Sequence, residues 1–146
     1  SDFTLEKFKE TYNANLANGL GNLVSRVMKM AVANKISYDS FDNPARESDE
    51  FVKKYYRGLE SIRFDQALDA VWLMIQWADR SIQQNKPFET IKTNRDEAEG
   101  HIKLLLYDLR TISKLLFPFM PQTAEMIDKL VINNQIPEYP LFPRKE

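Results

Sequence analysis

The sequence predicts an all-α protein, a helix bundle of about five helices, and three observations lead to this prediction. Apolar residues recur every three or four positions over several long segments, which is the period of an amphipathic helix. No segment alternates apolar and polar residues for long enough to indicate a strand. The seven prolines fall between the periodic segments, where helix-breaking residues are expected.

The first helix is predicted from about Leu5 to Asn34, with Thr4 as its N-cap. Gly19 and Gly21 lie inside this helix, where each costs about 1 kcal/mol relative to Ala. We therefore expect a ligand or another part of the protein to approach the backbone closely there. An apolar stripe from the middle of the helix onward would face the core, formed by Leu16, Leu20, Leu23, Val27, Met30 and Ala31.

Two helices follow a predicted loop over residues 35–46. The second helix covers roughly Glu47–Leu59, and the third covers Phe64–Gln84 with the most regular apolar period of the chain. Pro87 ends the third helix and, together with Phe88, opens a short turn or helical fragment.

The last two helices are predicted over about Arg95–Phe117 and Gln122–Asn133, separated by two prolines. The final segment, Ile136–Glu146, contains three prolines and should lie extended over the bundle. A chain of 146 residues has the usual size of one domain, so residues 1–146 are predicted to form a single helical domain. A start without Met suggests a piece of a longer protein.

Composition excludes several classes of protein. The chain has no cysteine, which excludes disulfides, a thiol nucleophile and thiolate metal sites, and fits a reducing compartment such as the cytoplasm. No run of 18 apolar residues is present, and the first residues do not have the pattern of a signal peptide, so no membrane association is expected.

No catalytic constellation can be assembled from the sequence. The single histidine, His101, has no partner nearby in sequence and is expected to be an ordinary helix residue. The acidic residues between Asp39 and Glu50 lack the spacing and the glycine of a calcium loop. We therefore expect no catalytic residue, no metal and no cofactor in this chain.

The first helix also carries a polar stripe. At 100° per residue, five polar side chains fall within about 80° of one another, opposite the apolar stripe. Asn and Arg suit the reading of base edges, because they offer paired and directional hydrogen bonds. An exposed Asn-rich face, or a face packed on a neighbouring domain, would look the same. The stripe consists of Asn15, Asn18, Asn22, Arg26 and Lys29.

Several motifs resemble the C-terminal helical domain of methionyl-tRNA synthetases, in the same order and over nearly the whole chain. Ala67–Ile82 is similar to the third helix of that domain. The more specific motifs are Asp2-Phe3-Thr4, Phe8, Tyr12-Asn13-Ala14-Asn15-Leu16-Ala17-Asn18, Leu20-Gly21-Asn22-Leu23-Val24-Ser25-Arg26, Leu116-Phe117-Pro118-Phe119-Met120-Pro121-Gln122-Thr123-Ala124 and Pro140-Leu141-Phe142-Pro143-Arg144.

This resemblance implies that the chain recognises the anticodon loop of a methionine tRNA and that catalysis belongs to a class I domain absent from this sequence. The whole enzyme would use ATP and Mg to join methionine to its tRNA. Among such domains, an Asn and an Arg four residues later contact anticodon bases, and they match Asn22 and Arg26. The family also stacks a Trp after a proline on an anticodon base, and that position is Phe88 here.

Phe88 is a departure from the family, since Phe has a smaller ring than Trp and no N–H donor. It could stack on a base, or it could fill the end of the bundle. Trp72 and Trp77 lie inside the third helix and are expected in the core. Further candidates for contacts with the RNA backbone are Asn15, Asn18, Lys29, Lys86, Lys92 and Arg95.

Two alternatives remain open at this point. The chain has 20 Lys and Arg against 21 Asp and Glu, a net charge of −1, whereas proteins that hold RNA through its phosphates are usually basic. A helical protein-interaction module without RNA binding would fit this charge. Related class I synthetases share a helical anticodon domain, although the closing Leu141-Phe142-Pro143-Arg144 motif favours the methionyl enzymes.

Overall fold

The computed structural model describes residue 10, residues 12–39, residue 46 and residues 48–142, and within these the fold is all-α, as predicted. A π-helical segment over Tyr12–Gly21 continues directly into helix α1. A single helical turn, α4, joins the two longest helices. The α-helices are α1 (Asn22–Ala33), α2 (Asp49–Glu60), α3 (Phe64–Asn85), α4 (Pro87–Thr90), α5 (Arg95–Leu116) and α6 (Pro121–Asn133).

The predicted ends of the helices agree with the described ends to within two residues. Asn94 caps α5 by accepting a hydrogen bond from the backbone N–H of Glu97 at 3.2 Å, and Pro121 occupies the first turn of α6. The first helix is the exception, because its segment Tyr12–Gly21 is π-helical and not α-helical. The predicted cap Thr4, the first residues of that helix and Glu47 lie outside the described residues.

The two glycines of the π-helical segment lie where the chain packs closely on itself. A Cβ atom at Gly19 would lie 3.0 Å from the carbonyl oxygen of Ala14 and 3.8 Å from Ile75 of α3. A Cβ at Gly21 would lie 3.6 Å from the ring of Phe142. We expected a ligand or another part of the protein close to the backbone at these glycines, and the close neighbours are other parts of the protein.

Helices α1 and α3 run in the same direction. Gly19 lies beside Ile75, and further along both elements Arg26 lies beside Asp79. Helix α5 runs the opposite way, because Phe64 at the start of α3 contacts Phe119, just beyond the end of α5, with ring centroids 6.1 Å apart. The chain therefore returns across α4 at one end of the bundle.

The core lies between α1, α3 and α5 and is completed by α2, α6 and the final segment. Within this core the Tyr55 hydroxyl donates a 2.6 Å hydrogen bond to the carbonyl of Leu115, one of the last four carbonyls of α5, which have no partner within the helix. Burial raises the pKa of the Tyr55 phenol, with a smaller contribution from Tyr56. In the predicted tail, Phe142 is buried against the core, whereas residues 143–146 lie outside the described part.

No helix in the described part of the chain is long and apolar enough to cross a membrane.

Candidate nucleic-acid interface

Arg26 lies on the exposed side of α1 and reaches across to α3. Its Nη1 atom is 2.6 Å from Oδ1 of Asp79, and the two side chains are 43% and 38% exposed. The other oxygen of this carboxylate accepts a 3.0 Å hydrogen bond from Gln83. The guanidinium is therefore held in place by α3 while a large part of it remains open to solvent.

Asn22 lies one turn before Arg26 and is also exposed. Its amide nitrogen donates a 3.0 Å hydrogen bond to the backbone carbonyl of Asn18, at the junction of the π-helical segment and α1. This bond fixes the rotamer of the amide, so an incoming group would meet a preset orientation. We define the exposed surface that carries Asn22 and Arg26 as the α1 face.

Phe88 lies on the short helix α4, at the turn between α3 and α5. Lys86 adopts a left-handed conformation (φ 44°) that ends α3, and the buried Pro87 opens α4. Phe88 remains 44% exposed. Nearly half of this residue is thus open to a stacking partner, and the rest packs at the end of the bundle. We define residues 86–88 as the proline corner.

On the α1 face, Arg26 lies nearer to the proline corner, and Asn22 lies one turn farther from it. Asp79, which pairs with Arg26, precedes the last residue of α3 by six positions, or about 9 Å along the helix. At the end of α1, the carbonyl of Asn34 accepts a 2.7 Å hydrogen bond from Arg95 at the start of α5. The ends of α1 and α3 and the start of α5 thus converge.

The π-helical segment changes the predicted polar stripe. The 100° rotation that placed five side chains in one line applies from Asn22 onward, because a π-helix turns by a smaller angle per residue. Asn15 consequently lines a small cavity with Trp72 and Ile75 of α3. Lys29, on the other side of Asn22 from Arg26, lines a groove of about 270 Å³ between α1 and residues 137–142.

The positively charged candidates around the proline corner are all exposed. Lys86 and Lys92 flank α4, whose own Glu89 is also exposed, so the local charge is only moderately positive. Arg95 has a structural role in addition to any contact with RNA, because it donates a hydrogen bond to the carbonyl of Asn34, the C-cap residue of α1. The roles of these residues in RNA binding remain predictions.

Sequence reasoning missed a cavity on another side of α3. Trp77 was expected in the core, but it is only half-buried, and its ring meets Phe51 edge-on at 6.3 Å between centroids. It lines a cavity of about 370 Å³ together with Arg80 and His101. Helical spacing could have indicated part of this lining, because positions 77, 80, 81 and 84 share one face of a helix.

Arg46 lines the same cavity and holds a buried carboxylate. Its Nε and Nη2 atoms lie 3.2 and 2.7 Å from the two oxygens of Asp108. Burial raises the pKa of Asp108, and the bonds to Arg46 oppose that shift. The residues in the described ranges include no cluster of three or more His, Asp or Glu side chains that could hold a metal ion.

The sequence matches one protein family over residues 42–140, described as the anticodon binding domain of methionyl tRNA ligase. The matched range includes the proline corner and begins after the α1 face.

Two solved structures of Mycobacterium tuberculosis methionyl-tRNA synthetase share this fold. The apo form has a TM-score of 0.74 at 22% sequence identity. This match covers 99% of the chain described here and 35% of the Mycobacterium tuberculosis chain. The complex with methionyl-adenylate has a TM-score of 0.70 at 21% sequence identity. That match covers 97% of the chain described here and 34% of the Mycobacterium tuberculosis chain.

Similar curated proteins extend the match to the α1 face. The methionine–tRNA ligase of Thermococcus kodakarensis is 30% identical over 87% of this chain and 18% of its own length. That of Bacillus subtilis is 31% identical over 91% of this chain and 22% of its own. The chain thus spans about a fifth of the length of these relatives. It belongs to the family of methionyl-tRNA ligase anticodon-binding domains.

Proposed function

We propose that this domain recognises the anticodon loop of a methionine tRNA, with the α1 face and the proline corner as its binding surface. The family match supports an anticodon-binding role. The observation that carries the assignment to this surface is the exposure of Asn22, Arg26 and Phe88, together with the contact of Arg26 with Asp79 on the last turns of α3, the helix that leads to Phe88.

The three side chains have complementary chemistry for unpaired bases. Bases of an RNA loop can be splayed out, stacked on an aromatic ring and hydrogen-bonded along their Watson–Crick edges. Phe88 supplies the ring, while the amide of Asn22 and the guanidinium of Arg26 supply directional donors. Specific base contacts of this kind do not need a strongly basic protein, which agrees with the net charge of −1.

The remaining steps of the activity belong to the whole enzyme. In this proposal the domain selects the tRNA, and a catalytic domain outside this chain joins methionine to it with ATP and Mg in the cytoplasm. No residue of the anticodon-binding domain takes part in that chemistry, and the domain itself holds no cofactor. Its partners are the tRNA and its own catalytic domain.

The Arg26→Ala variant tests the proposed surface. A directional contact with a base contributes about 1–3 kcal/mol, so affinity for an anticodon stem-loop RNA of methionine tRNA should fall by about tenfold. Arg57→Ala is the matched control, because Arg57 is an exposed arginine near the far end of α2. Both affinities are measured by fluorescence anisotropy at fixed salt. Equal affinities for the two variants would refute the assignment of Arg26.

A stem-loop with an exchanged anticodon separates base reading from other modes of binding. The wild-type domain should bind it more weakly than the methionine sequence, and Arg26→Ala should reduce the difference. Indifference of the wild-type protein to the anticodon would contradict the proposed function and would favour a helical module that binds another protein.

A further inference from the structure

The cavity beside the second half of α3 is separate from the α1 face. Asp79 and Gln83 face α1, whereas Trp77, Arg80 and Gln84 line the cavity on another side of the same helix. Its volume of about 370 Å³ lies in the range of small-molecule binding sites, about 300–1,000 Å³. The cavity is therefore large enough for a nucleotide and is not part of the proposed base-reading surface.

The lining of this cavity is rich in hydrogen-bond donors. Two arginines, Arg46 and Arg80, line it together with the amide residues Gln84 and Asn85. Among the described lining residues there is no carboxylate. An anion is the ligand that such a set of donors fits, and guanidinium groups match the geometry of phosphate oxygens.

The two arginines differ in whether their charge is already paired with a carboxylate. The side chain of Arg46 is only 14% exposed, and its charge is neutralised by the bidentate pair with Asp108. Arg46 therefore lines the cavity in a fixed position without adding net positive charge. Arg80 is exposed, and the structure records no ion pair for it with another described residue. Arg80 thus carries the positive charge that is available to a ligand.

The cavity adjoins the proline corner. Ser81, Gln84 and Asn85 of its lining lie on the last turns of α3, directly before Lys86. The carbonyl of Asn85 also accepts a 3.2 Å hydrogen bond from Thr90 at the end of α4. Only Lys86 and Pro87 therefore separate the cavity lining from Phe88 along the chain.

We propose that this cavity binds a phosphate group, with Arg80 as its main cationic contact and Trp77 and His101 forming its walls. In the setting of the proposed function, the phosphate belongs to the backbone of the tRNA next to the base stacked on Phe88. The site thus adds affinity that does not depend on the anticodon sequence, whereas Arg26 adds affinity that does. This assignment of the phosphate to tRNA depends on the proposed function.

The first experiment compares Arg80→Ala with Arg57→Ala in titrations with the anticodon stem-loop at several salt concentrations. Loss of a charged hydrogen bond to phosphate should weaken binding by about tenfold. The slope of log affinity against log salt should fall by about one, and the preference for the methionine anticodon should stay unchanged. An Arg80→Ala protein that binds like Arg57→Ala, or that loses anticodon preference with an unchanged slope, overturns the proposal.

The second experiment uses the single histidine of the chain as a local probe. The imidazole resonances of His101 are followed by NMR during titration with the stem-loop and, separately, with adenosine 5′-monophosphate. A shift with RNA that is lost in Arg80→Ala and kept in Arg57→Ala assigns the phosphate to the tRNA backbone. A shift with the mononucleotide alone, equally dependent on Arg80, assigns the site to a free nucleotide.

Absence of both shifts overturns the phosphate site. The two proposals fail in different ways, because a wild-type protein that binds no RNA refutes the proposed function while the mononucleotide titration still decides the cavity. Arg80 is an exposed helix residue, so its replacement by Ala should leave the fold intact.

Discussion

Phe88 and its neighbours show how the surroundings of single side chains set their roles. The left-handed Lys86 ends α3, and the buried Pro87 fixes the next turn, so the ring of Phe88 is presented on a rigid support. A rigid aromatic ring loses little conformational freedom on binding a base. The ring is smaller than the indole of a Trp, which would offer a larger stacking area to a base.

Replacing Phe88 by Trp should therefore strengthen binding of the anticodon stem-loop. Base stacking contributes about 1–3 kcal/mol, and the added ring area should give a fraction of this, about threefold in affinity. Anisotropy titrations of the two proteins check the prediction. Phe117→Trp is the matched control, because Phe117 has a similar exposure at the opposite end of the bundle. Weaker binding by Phe88→Trp would show that the ring fills the bundle end.

At the scale of the helices, a close backbone contact joins α2 to α3. A Cβ atom added at Gly58 would lie 2.8 Å from the backbone nitrogen of Ala67 and 3.0 Å from the carbonyl oxygen of Arg63. Backbone atoms cannot move aside as a flexible side chain can. The glycine thus permits the tight turn between these two helices, and its small size is needed although its φ angle is an ordinary one.

Gly58→Ala should destabilise the protein by about 1–3 kcal/mol, because the added methyl group forces α2 and α3 apart. Gly100→Ala is the matched control on α5, where a Cβ would meet no atom within 4 Å. The control should gain up to about 1 kcal/mol from its higher helix propensity. Urea unfolding measures both changes, and a Gly58→Ala protein as stable as the wild type would contradict this account of the contact.

The helices could be predicted from the sequence because their signals are local. Apolar periods of three and four residues define α3 and α5, and prolines mark where these helices end. The π-helical segment could not be predicted, because its glycines give no indication of the width of the helix. The placement of Asn15 beside α3 depended on that width, so the uniform projection of the first helix was wrong there.

The candidate site also combines features that could be predicted from the sequence with features that could not. The proximity of Asn22 and Arg26 follows from their spacing of four residues on one helix. The partner of Arg26 could not be predicted, because Asp79 lies 53 residues further along the chain. The cavity lined by Arg46, Trp77 and His101 also requires three distant segments to meet, and no local pattern encodes this meeting.

For the whole molecule, the ion pair between Arg46 and Asp108 joins the segment before α2 to the middle of α5. The carboxylate of Asp108 is almost fully buried, and its pKa is raised chiefly by that burial. The folded protein therefore takes up a proton on Asp108 at a higher pH than the unfolded chain does. This contribution to stability is fully present below the unfolded pKa of 3.8 and is lost as the pH rises through the folded value.

The pH dependence of unfolding should show this sign. The free energy of unfolding of the wild type, minus that of Asp108→Asn, should increase as the pH falls from about 7 to about 4. Urea titrations of the two proteins at matched pH values provide the measurement. A difference that decreases on acidification would show that attraction to Arg46 outweighs burial at this carboxylate.

The contact between Arg26 and Asp79 has a consequence for selectivity. In the proposed complex, Asp79 occupies Nη1 of Arg26, and a nucleobase binds the N–H groups that remain open to solvent. The other oxygen of Asp79 keeps its hydrogen bond to Gln83, so the guanidinium has its orientation before the RNA arrives. A base whose acceptors do not match that orientation gains less, because the guanidinium cannot turn towards it without losing the aspartate.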